Sequence, residues 1–134
     1  MFGSEKKAKL GGGPIATLIG VDASIDGNLL FKGGMRIDGV VRGNVTAEEG
    51  QPSMLVLSEN ARIEGSVRAG HLVLNGTVVG PVMGEELIEL QPKARITGDV
   101  HYRALEMHPG AVIDGTLSHL EEGRPGLKLA SSNE

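Results

Sequence analysis

Aliphatic residues recur along residues 15–120 in six rows of similar pattern. Each row has a central aliphatic residue, its anchor, with Ala or Gly two positions before it, Gly two positions after it, and Leu or Val four positions after it. Six copies of one short pattern indicate a repeat protein. The anchors are Ile25, Val41, Ile63, Val78, Ile96 and Ile113, the glycines are Gly27, Gly43, Gly65, Gly80, Gly98 and Gly115, and the later aliphatic residues are Leu29, Val45, Val67, Val82, Val100 and Leu117.

The positions between these apolar columns are mostly polar. The residue after the anchor is Asp26 in the first row, Arg42 in the second and Glu64 in the third. The column three positions before the anchors is rich in Asp and Asn, which accept turn conformations. Since alternation of apolar and polar residues predicts strands, each row is predicted to form a strand, a turn and another strand.

The six rows align without a gap over thirteen positions. Successive anchors are 16, 22, 15, 18 and 17 residues apart. The alignment therefore predicts that insertions fall only between rows, the longest being a surface loop at residues 46–53. The first column of the aligned rows lies six positions before the anchors and consists of Ile19, Met35, Leu57, Leu72, Leu90 and Met107.

The short period predicts a stacked all-β architecture. At about 3.3 Å per residue, one row traces roughly 56 Å, which is enough for a coil of three short strands. Coils about 4.8 Å apart pair in parallel, so six coils form a rod roughly 30 Å long. The predicted fold is a parallel β-helix of about six coils at residues 15–120, between disordered tails at residues 1–14 and 121–134.

Composition narrows the function. Two Phe, one Tyr and no Trp exclude an aromatic core, and the absence of Cys excludes disulfides and thiolate metal sites. The net charge of −4 leaves no basic face for nucleic acid. Catalytic and phosphate-binding motifs are absent, and the four histidines fall at unrelated offsets, so we predict no catalytic residue, cofactor or metal. These histidines are His71, His101, His108 and His119.

The two ends of the predicted rod have no covering segment in the sequence. A Gly-rich tail precedes the first coil, and no amphipathic helix follows the last. Open β-edges with exposed aliphatic ends are templates for pairing with another chain. We therefore predict end-to-end stacking of copies into filaments, through Ile19, Ile25 and Leu29 at one end and Met107, Ile113 and Leu117 at the other.

The N-terminal tail and the fourth row suggest further contacts. Phe2 next to lysines has the composition of a weak peripheral membrane motif, although a solubilising tail would look similar. In the fourth row, Val73 and Val79 stand at positions that are polar in most rows, which indicates either a partner patch or a functionless apolar surface. The lysines of the tail motif are Lys6, Lys7 and Lys9.

The rows resemble those of the bactofilins. The resemblance rests on TLIGVDASIDGNL at residues 17–29, GGMRIDGVVRGNV at residues 33–45, the flanking short tails and the N-terminal Met-Phe with lysines. It implies a right-handed β-helix of a bacterial cytoskeletal protein that polymerises without nucleotide into non-polar filaments. It also implies attachment to the inner face of the cytoplasmic membrane and recruitment of cell-wall synthesis or hydrolysis proteins that define cell shape. Gly3, Ser4 and Glu5 depart from the membrane motif by delaying the first lysine.

Two other functions remain open at this point. A left-handed hexapeptide-repeat acyltransferase would show a stricter period and a catalytic histidine at a subunit interface. A non-polymerising adaptor would use the outer patch near Val79, and electron microscopy separates it from a filament-forming protein. A location in the cytoplasm, peripheral to the membrane, fits the absence of an 18-residue apolar run and of a signal peptide.

Overall fold

The computed structural model describes residues 15–121, which form sixteen β-strands and, within this range, no helix. The strands are short because the chain turns a corner after every few residues. Their bounds are β1 Ile15–Ile19, β2 Ser24–Asp26, β3 Leu29–Phe31, β4 Gly33–Ile37, β5 Val40–Arg42, β6 Val45–Ala47, β7 Ser53–Leu57, β8 Arg62–Glu64, β9 Val67–Leu74, β10 Thr77–Val79, β11 Val82–Leu90, β12 Arg95–Thr97, β13 Val100–Tyr102, β14 Leu105–Met107, β15 Val112–Asp114 and β16 Leu117–His119.

The strands stack into a parallel β-solenoid of six coils with three faces, which confirms the predicted all-β architecture. Face 1 contains β1, β4, β7, the second half of β9, the second half of β11, and β14. Face 2 contains β2, β5, β8, β10, β12 and β15. Face 3 contains β3, β6, the first halves of β9 and β11, β13 and β16. Every strand pair is parallel, and the two long strands β9 and β11 continue from face 3 into face 1.

The core consists of columns of aliphatic side chains that run along the rod. The anchor column lines face 2, where Ile63, Val78 and Val41 are fully buried. The residue four positions after each anchor lines face 3. Because each buried side chain contacts its equivalents in the coils above and below, stability accumulates through neighbouring coils. The right-handed sense of the coil stays a prediction.

The glycine column lies at the corner between faces 2 and 3. Gly65 has a φ of +153°, and a Cβ there would collide with the backbone carbonyl of Gly43 in the preceding coil. Gly43 stands in the same relation to Gly27. Only a residue without a side chain allows successive coils to approach this closely at the corner.

The ungapped alignment of the rows is wrong for the second and fourth rows. The structure pairs Ile19 with Ile37, not with Met35, and pairs Leu57 with Leu74, not with Leu72. The turn before the anchor is therefore two residues shorter in these rows, and insertions do not fall only between rows. The ungapped alignment could place Met35 and Leu72 in this column because they are also inward-facing aliphatic residues. Each lies two residues before the true equivalent, Ile37 or Leu74.

The shorter turns of the second and fourth coils pack against the longer turns of the first and third coils. A Cβ at Gly39 would collide with the carbonyl oxygens of Gly20 and Ala23, which close the turn of the first coil. Gly76 bears the same relation to the turn at Ser58 and Ala61 of the third coil. Glycine in the second and fourth rows, in place of alanine, is thus the sequence sign of a shorter turn.

Polar side chains at the corners satisfy backbone donors of the next coil. The Asn28 side-chain oxygen accepts a hydrogen bond from the backbone N–H of Asn44 at 2.8 Å, and the Asn44 side chain does the same for Ser66 at 2.9 Å. A charge ladder runs along face 2, since Arg42 lies 3.1 Å from Asp26 and 3.9 Å from Glu64. These ion pairs are exposed and contribute little to stability.

The longest insertion is held against face 3 by charge. It spans residues 48–52 between β6 and β7. The Arg68 guanidinium lies 2.6 Å from a Glu49 carboxylate oxygen in this loop and 2.8 Å from one of Glu85 in the next coil. The hydrogen bond to Glu85 is the main reason that the pKa of Arg68 is raised. The insertion is therefore a loop attached to the solenoid.

We expect Gly65→Ala to destabilise the solenoid more than Gly27→Ala does. Both positions have positive φ, but only at position 65 would the new Cβ meet the backbone of a preceding coil. Strain alone costs about 1 kcal/mol, and the collision raises the loss at position 65 to about 2 kcal/mol or more. Thermal unfolding followed by circular dichroism measures both variants, and equal losses would contradict the close approach of the coils.

Candidate functional site

Exposed aliphatic side chains are concentrated at the two ends of the solenoid. Of the eight large hydrophobic residues that are exposed within residues 15–121, seven belong to the first or the sixth coil. Leu30 at 70% and Val21 at 63% are the most exposed of these seven. The first coil contributes Ile15, Leu18, Val21 and Leu30, the sixth contributes Met107, Val112 and Leu117, and the eighth residue is Val79 in the fourth coil.

The end coils also carry backbone groups without strand partners on their outer sides. On face 2, the order of strands begins with β15 and ends with β2, so each has one neighbour among the described residues. On face 1, β1 pairs with β4 and β14 pairs with β11, again on one side within the described range. These edges meet the geometric requirement for adding another coil in register.

The six residues predicted at the ends occupy the end coils and face the interior. Ile25 pairs in register with Val41, and Ile113 with Ile96, so both extend the anchor column. Both are half-buried, whereas Ile63 in the same column is fully buried. Ile19 and Leu29 are likewise half-buried against the core, while Met107 and Leu117 are 46% and 50% exposed. A further coil would complete the burial of all six.

Outward-pointing residues of the end coils were missed by the sequence reasoning. Leu18 pairs with Arg36, and Leu30 pairs with Thr46, which places both on the outside of the solenoid. Val112 pairs with Arg95 and lies on the outside of face 2. A comparison of the outward columns row by row would have found them, because most equivalent residues in the middle rows are polar or charged. The ends thus expose apolar surface on their rims as well as at the core.

The predicted membrane residues Phe2, Lys6, Lys7 and Lys9 lie outside the described residues. The same holds for the N-terminal tail and nearly all of the C-terminal tail. Within residues 15–121, no helix is long and apolar enough to cross a membrane. Membrane contact therefore stays a prediction from the sequence.

Val73 and Val79 do not form a common patch. Val73 pairs with Val56 and Glu89 on face 1, whereas Val79 pairs with Glu64 and Thr97 on face 2. The corner at residues 75–76 turns the chain between them, so their side chains point away from different faces. The sequence pattern shows that a residue points outward, but it does not show on which face of a three-sided coil.

Polar groups converge near the sixth coil on face 1. One carboxylate oxygen each of Glu89 and Glu106 and a ring nitrogen of His108 lie within 4.8 Å of one another. The sequence offsets of the histidines did not reveal this group, because Glu89 belongs to the coil before. His108 Nε2 is 3.5 Å from Glu89 Oε2, so an exposed ion pair accounts for the arrangement when the imidazole is protonated.

A further polar contact joins the fifth and sixth coils at a corner of the solenoid. Asp99 accepts hydrogen bonds from the hydroxyl of Thr116 at 2.8 Å and from its backbone N–H at 3.2 Å, and these bonds lower the pKa of Asp99. Two surface grooves lie on the sides of the middle coils, one of about 260 Å³ that includes Val56 and Val73 and one of about 240 Å³ that includes Met83. Neither groove is at an end.

Comparison with known proteins agrees with this arrangement. The sequence profile of the bactofilin family, described as polymer-forming cytoskeletal, matches residues 17–118. Bactofilin BacO of Myxococcus xanthus (strain DK1622) is 24% identical over 101 residues, which cover 75% of this chain and 77% of BacO. The chain in a cryo-EM reconstruction of Thermus thermophilus bactofilin double helical filaments is 35% identical, with a TM-score of 0.70 and coverage of 76% of this chain and 97% of that chain. The family profile spans most of the solenoid, and this chain belongs to the bactofilin family of polymer-forming cytoskeletal proteins.

Proposed function

We propose that this cytoskeletal scaffold assembles without nucleotide into non-polar filaments, in which end coils of the solenoid stack against like end coils. The observation that carries the proposal is the concentration of exposed aliphatic side chains in the first and sixth coils. Each end combines this apolar surface with unpaired strand edges, so one contact supplies both burial and backbone hydrogen bonds. The proposal needs no bound nucleotide, because the apolar side chains that would drive assembly are exposed in the described residues.

The ends of two copies can meet in either of two arrangements. A twofold axis perpendicular to the rod brings like ends together and makes their edge strands antiparallel. Such an interface is isologous, so each residue needs to match only the equivalent patch on the other copy. Head-to-tail stacking would instead join the first coil of one copy to the sixth coil of the next with parallel strands. The resemblance to bactofilins favours the like-end arrangement.

Single charge insertions at the two ends distinguish these arrangements. In a non-polar filament, Ile113→Arg blocks only the contact between sixth coils and leaves the other end competent, so the variant forms dimers of the 14.0 kDa chain. Ile25→Arg likewise leaves dimers joined through the sixth coils, and the double variant is monomeric. In a head-to-tail filament, either substitution alone yields monomers, because each contact needs both ends.

Sedimentation velocity measures these states, and Thr97→Arg on the outside of the fifth coil is the matched control. The control should still form filaments that electron microscopy shows at the parent's length. Filaments that persist in the double variant, with a native circular dichroism spectrum, would contradict assembly through the ends.

We further propose that the N-terminal tail attaches the filament to the inner face of the cytoplasmic membrane. One aromatic side chain and three lysines give weak binding, at about 1 kcal/mol per lysine near an anionic surface. A filament displays many copies of the tail, and the summed avidity exceeds that of one copy by orders of magnitude. Recruitment of cell-wall synthesis or hydrolysis proteins, which the resemblance implies, would then occur along this membrane-bound filament.

Flotation with anionic vesicles tests the membrane attachment. Phe2→Ala should lose most of the vesicle-bound fraction, because the side chain that enters the lipid interface is removed. Filaments of the variant should still sediment as the parent's do, since Phe2 precedes the first described strand, β1, in the sequence. Leu10→Ala, at the far end of the tail, is the matched control. Equal flotation of all three proteins would contradict a role for Phe2.

The solved Thermus relative forms double helical filaments. We propose that filaments of this chain also wind around each other in pairs. A non-polymerising adaptor and a hexapeptide-repeat acyltransferase remain the rival functions from the sequence. The sedimentation experiment separates the adaptor from the scaffold, because an adaptor would be monomeric before any substitution.

A further inference from the structure

The outside of face 1 is apolar in the middle of the rod. Two columns of side chains point outward from this face, and in the third and fourth coils they consist of Met54, Val56, His71 and Val73. Leu87 of the fifth coil continues the apolar surface. All five are half-buried by their neighbours in the sheet. Thus the side of the rod, which is expected to face water, carries an apolar strip, interrupted in one column by His71, whose ring Nε2 is buried without a hydrogen-bond partner among the described residues.

The other sides of the middle coils are more polar. On face 2, the outward residues of the third coil are Arg62 and Glu64, and in the fourth coil Thr77 pairs with Arg62 and Val79 with Glu64. On face 3, Arg68 lies in the middle of the outward surface and forms ion pairs with Glu49 and Glu85. The apolar strip therefore distinguishes face 1 from its neighbours.

Charges flank the apolar strip with opposite signs. We call the column that contains Val56 and Val73 the outer column. From the first coil to the sixth, strand pairing shows that it consists of Leu18, Arg36, Val56, Val73, Glu89 and Glu106. The basic residue thus lies one coil before the two valines and the acidic residues lie after them. Arg36 is 49% exposed and the Glu89 side chain is 26% exposed, so both are accessible to a second molecule.

This order of residues is complementary to itself when the column is reversed. A twofold axis between the third and fourth coils places Val56 opposite the partner's Val73 and Arg36 opposite the partner's Glu89. In the neighbouring column, which reads Gly34, Met54, His71 and Leu87, the reversal places Gly34 opposite the partner's Leu87. Gly34 is already buried within its own chain, so the complementarity of the reversed pairing rests on the outer column. Pairing in the same direction would instead oppose Arg36 to Arg36 and Glu89 to Glu89.

We propose that face 1 is the lateral interface between two filaments of this chain, which meet with their subunits antiparallel. The inference rests on the proposed function and names the surface through which paired filaments would touch. Subunits in a non-polar filament alternate in direction, so every subunit can find an antiparallel partner across the pair. Of the facing positions in the outer column, only Leu18 opposite the partner's Glu106 lacks complementarity.

The size of face 1 explains why pairing would require filaments. Six coils of about 4.8 Å and a five-residue strand of about 16 Å define a face of roughly 460 Å² per copy. The total of about 900 Å² for two copies falls below that of a stable interface between isolated proteins. Many such contacts in a row hold two filaments together through avidity. A gradual twist of the strip along the rod would wind the two filaments around each other, as twisted sheets do.

A charge swap tests the antiparallel contact. We expect paired filaments for the parent, and a fall of about tenfold or more in the paired fraction for Arg36→Glu and for Glu89→Arg alone, because like charges then meet. Arg36→Glu combined with Glu89→Arg should restore pairing. The swap does not restore the contacts within one chain, which join Arg36 to Asp38 at 2.9 Å and Glu89 to His108 at 3.5 Å. Restoration therefore reports the contact between chains.

Cryo-electron microscopy of the filaments counts paired and single strands, with Arg95→Glu on face 2 as the matched control that should pair as the parent does. Single filaments in the parent, unchanged pairing in both single variants, or a double variant that remains unpaired would each overturn the lateral interface. If the parent formed no filaments at all, that result would contradict the proposed function and, with it, the lateral interface. Circular dichroism confirms that each variant is folded.

Discussion

Each inner coil of this protein depends on backbone pairing with a coil on both sides. The parallel ladder fixes the register, and the register in turn aligns equivalent side chains into columns along the rod. Inside, the columns bury aliphatic residues such as Ile63 and Leu57 completely. At the corner, the same ladder requires Gly65, because the preceding coil's carbonyl occupies the space of a side chain. The interaction that builds the rod therefore leaves its two ends incomplete.

The incomplete ends relate the fold to the function. Ile25 and Ile113 belong to the same column as Ile63, yet they remain half-buried because each has a neighbouring coil on only one side. In the proposed filament, a second copy stacked on either end supplies the missing neighbour, through antiparallel pairing of the edge strands at the joint. The filament, in this account, continues the fold beyond one chain. The sides of the rod offer weaker contacts, and face 1 carries the apolar strip that we propose for one of them.

Much of the fold could be predicted from the sequence because the repeat is so regular. The alternation of apolar and polar residues, the glycine column and the irregular spacing of the anchors together indicated a solenoid with insertions. The turn lengths in the second and fourth rows could not be read in the same way, because Met35 and Ile37 are both inward-facing aliphatic residues and either can be aligned with Ile19. Only the observed strand pairing decides between them.

The candidate site was predicted in part. The inward residues of the end coils followed from the columns, but Leu18 and Leu30 point outward and were overlooked, since an outward position is expected to be polar. Val73 and Val79 were grouped because both break the polar pattern, yet they belong to different faces. A period of two distinguishes inside from outside, but the assignment of an outward residue to one of three faces depends on where the corners fall. The order of Arg36, Val56, Val73 and Glu89 along face 1 became visible only with the corners in place.

A cryo-electron microscopy reconstruction of the parent filament tests the central claim most directly. The account predicts a continuous stack of coils spaced by about 4.8 Å, unbroken at the joints between subunits, with first coils against first coils and sixth coils against sixth coils. A filament whose subunits touch only through their faces, with the first and sixth coils open to solvent, would contradict it.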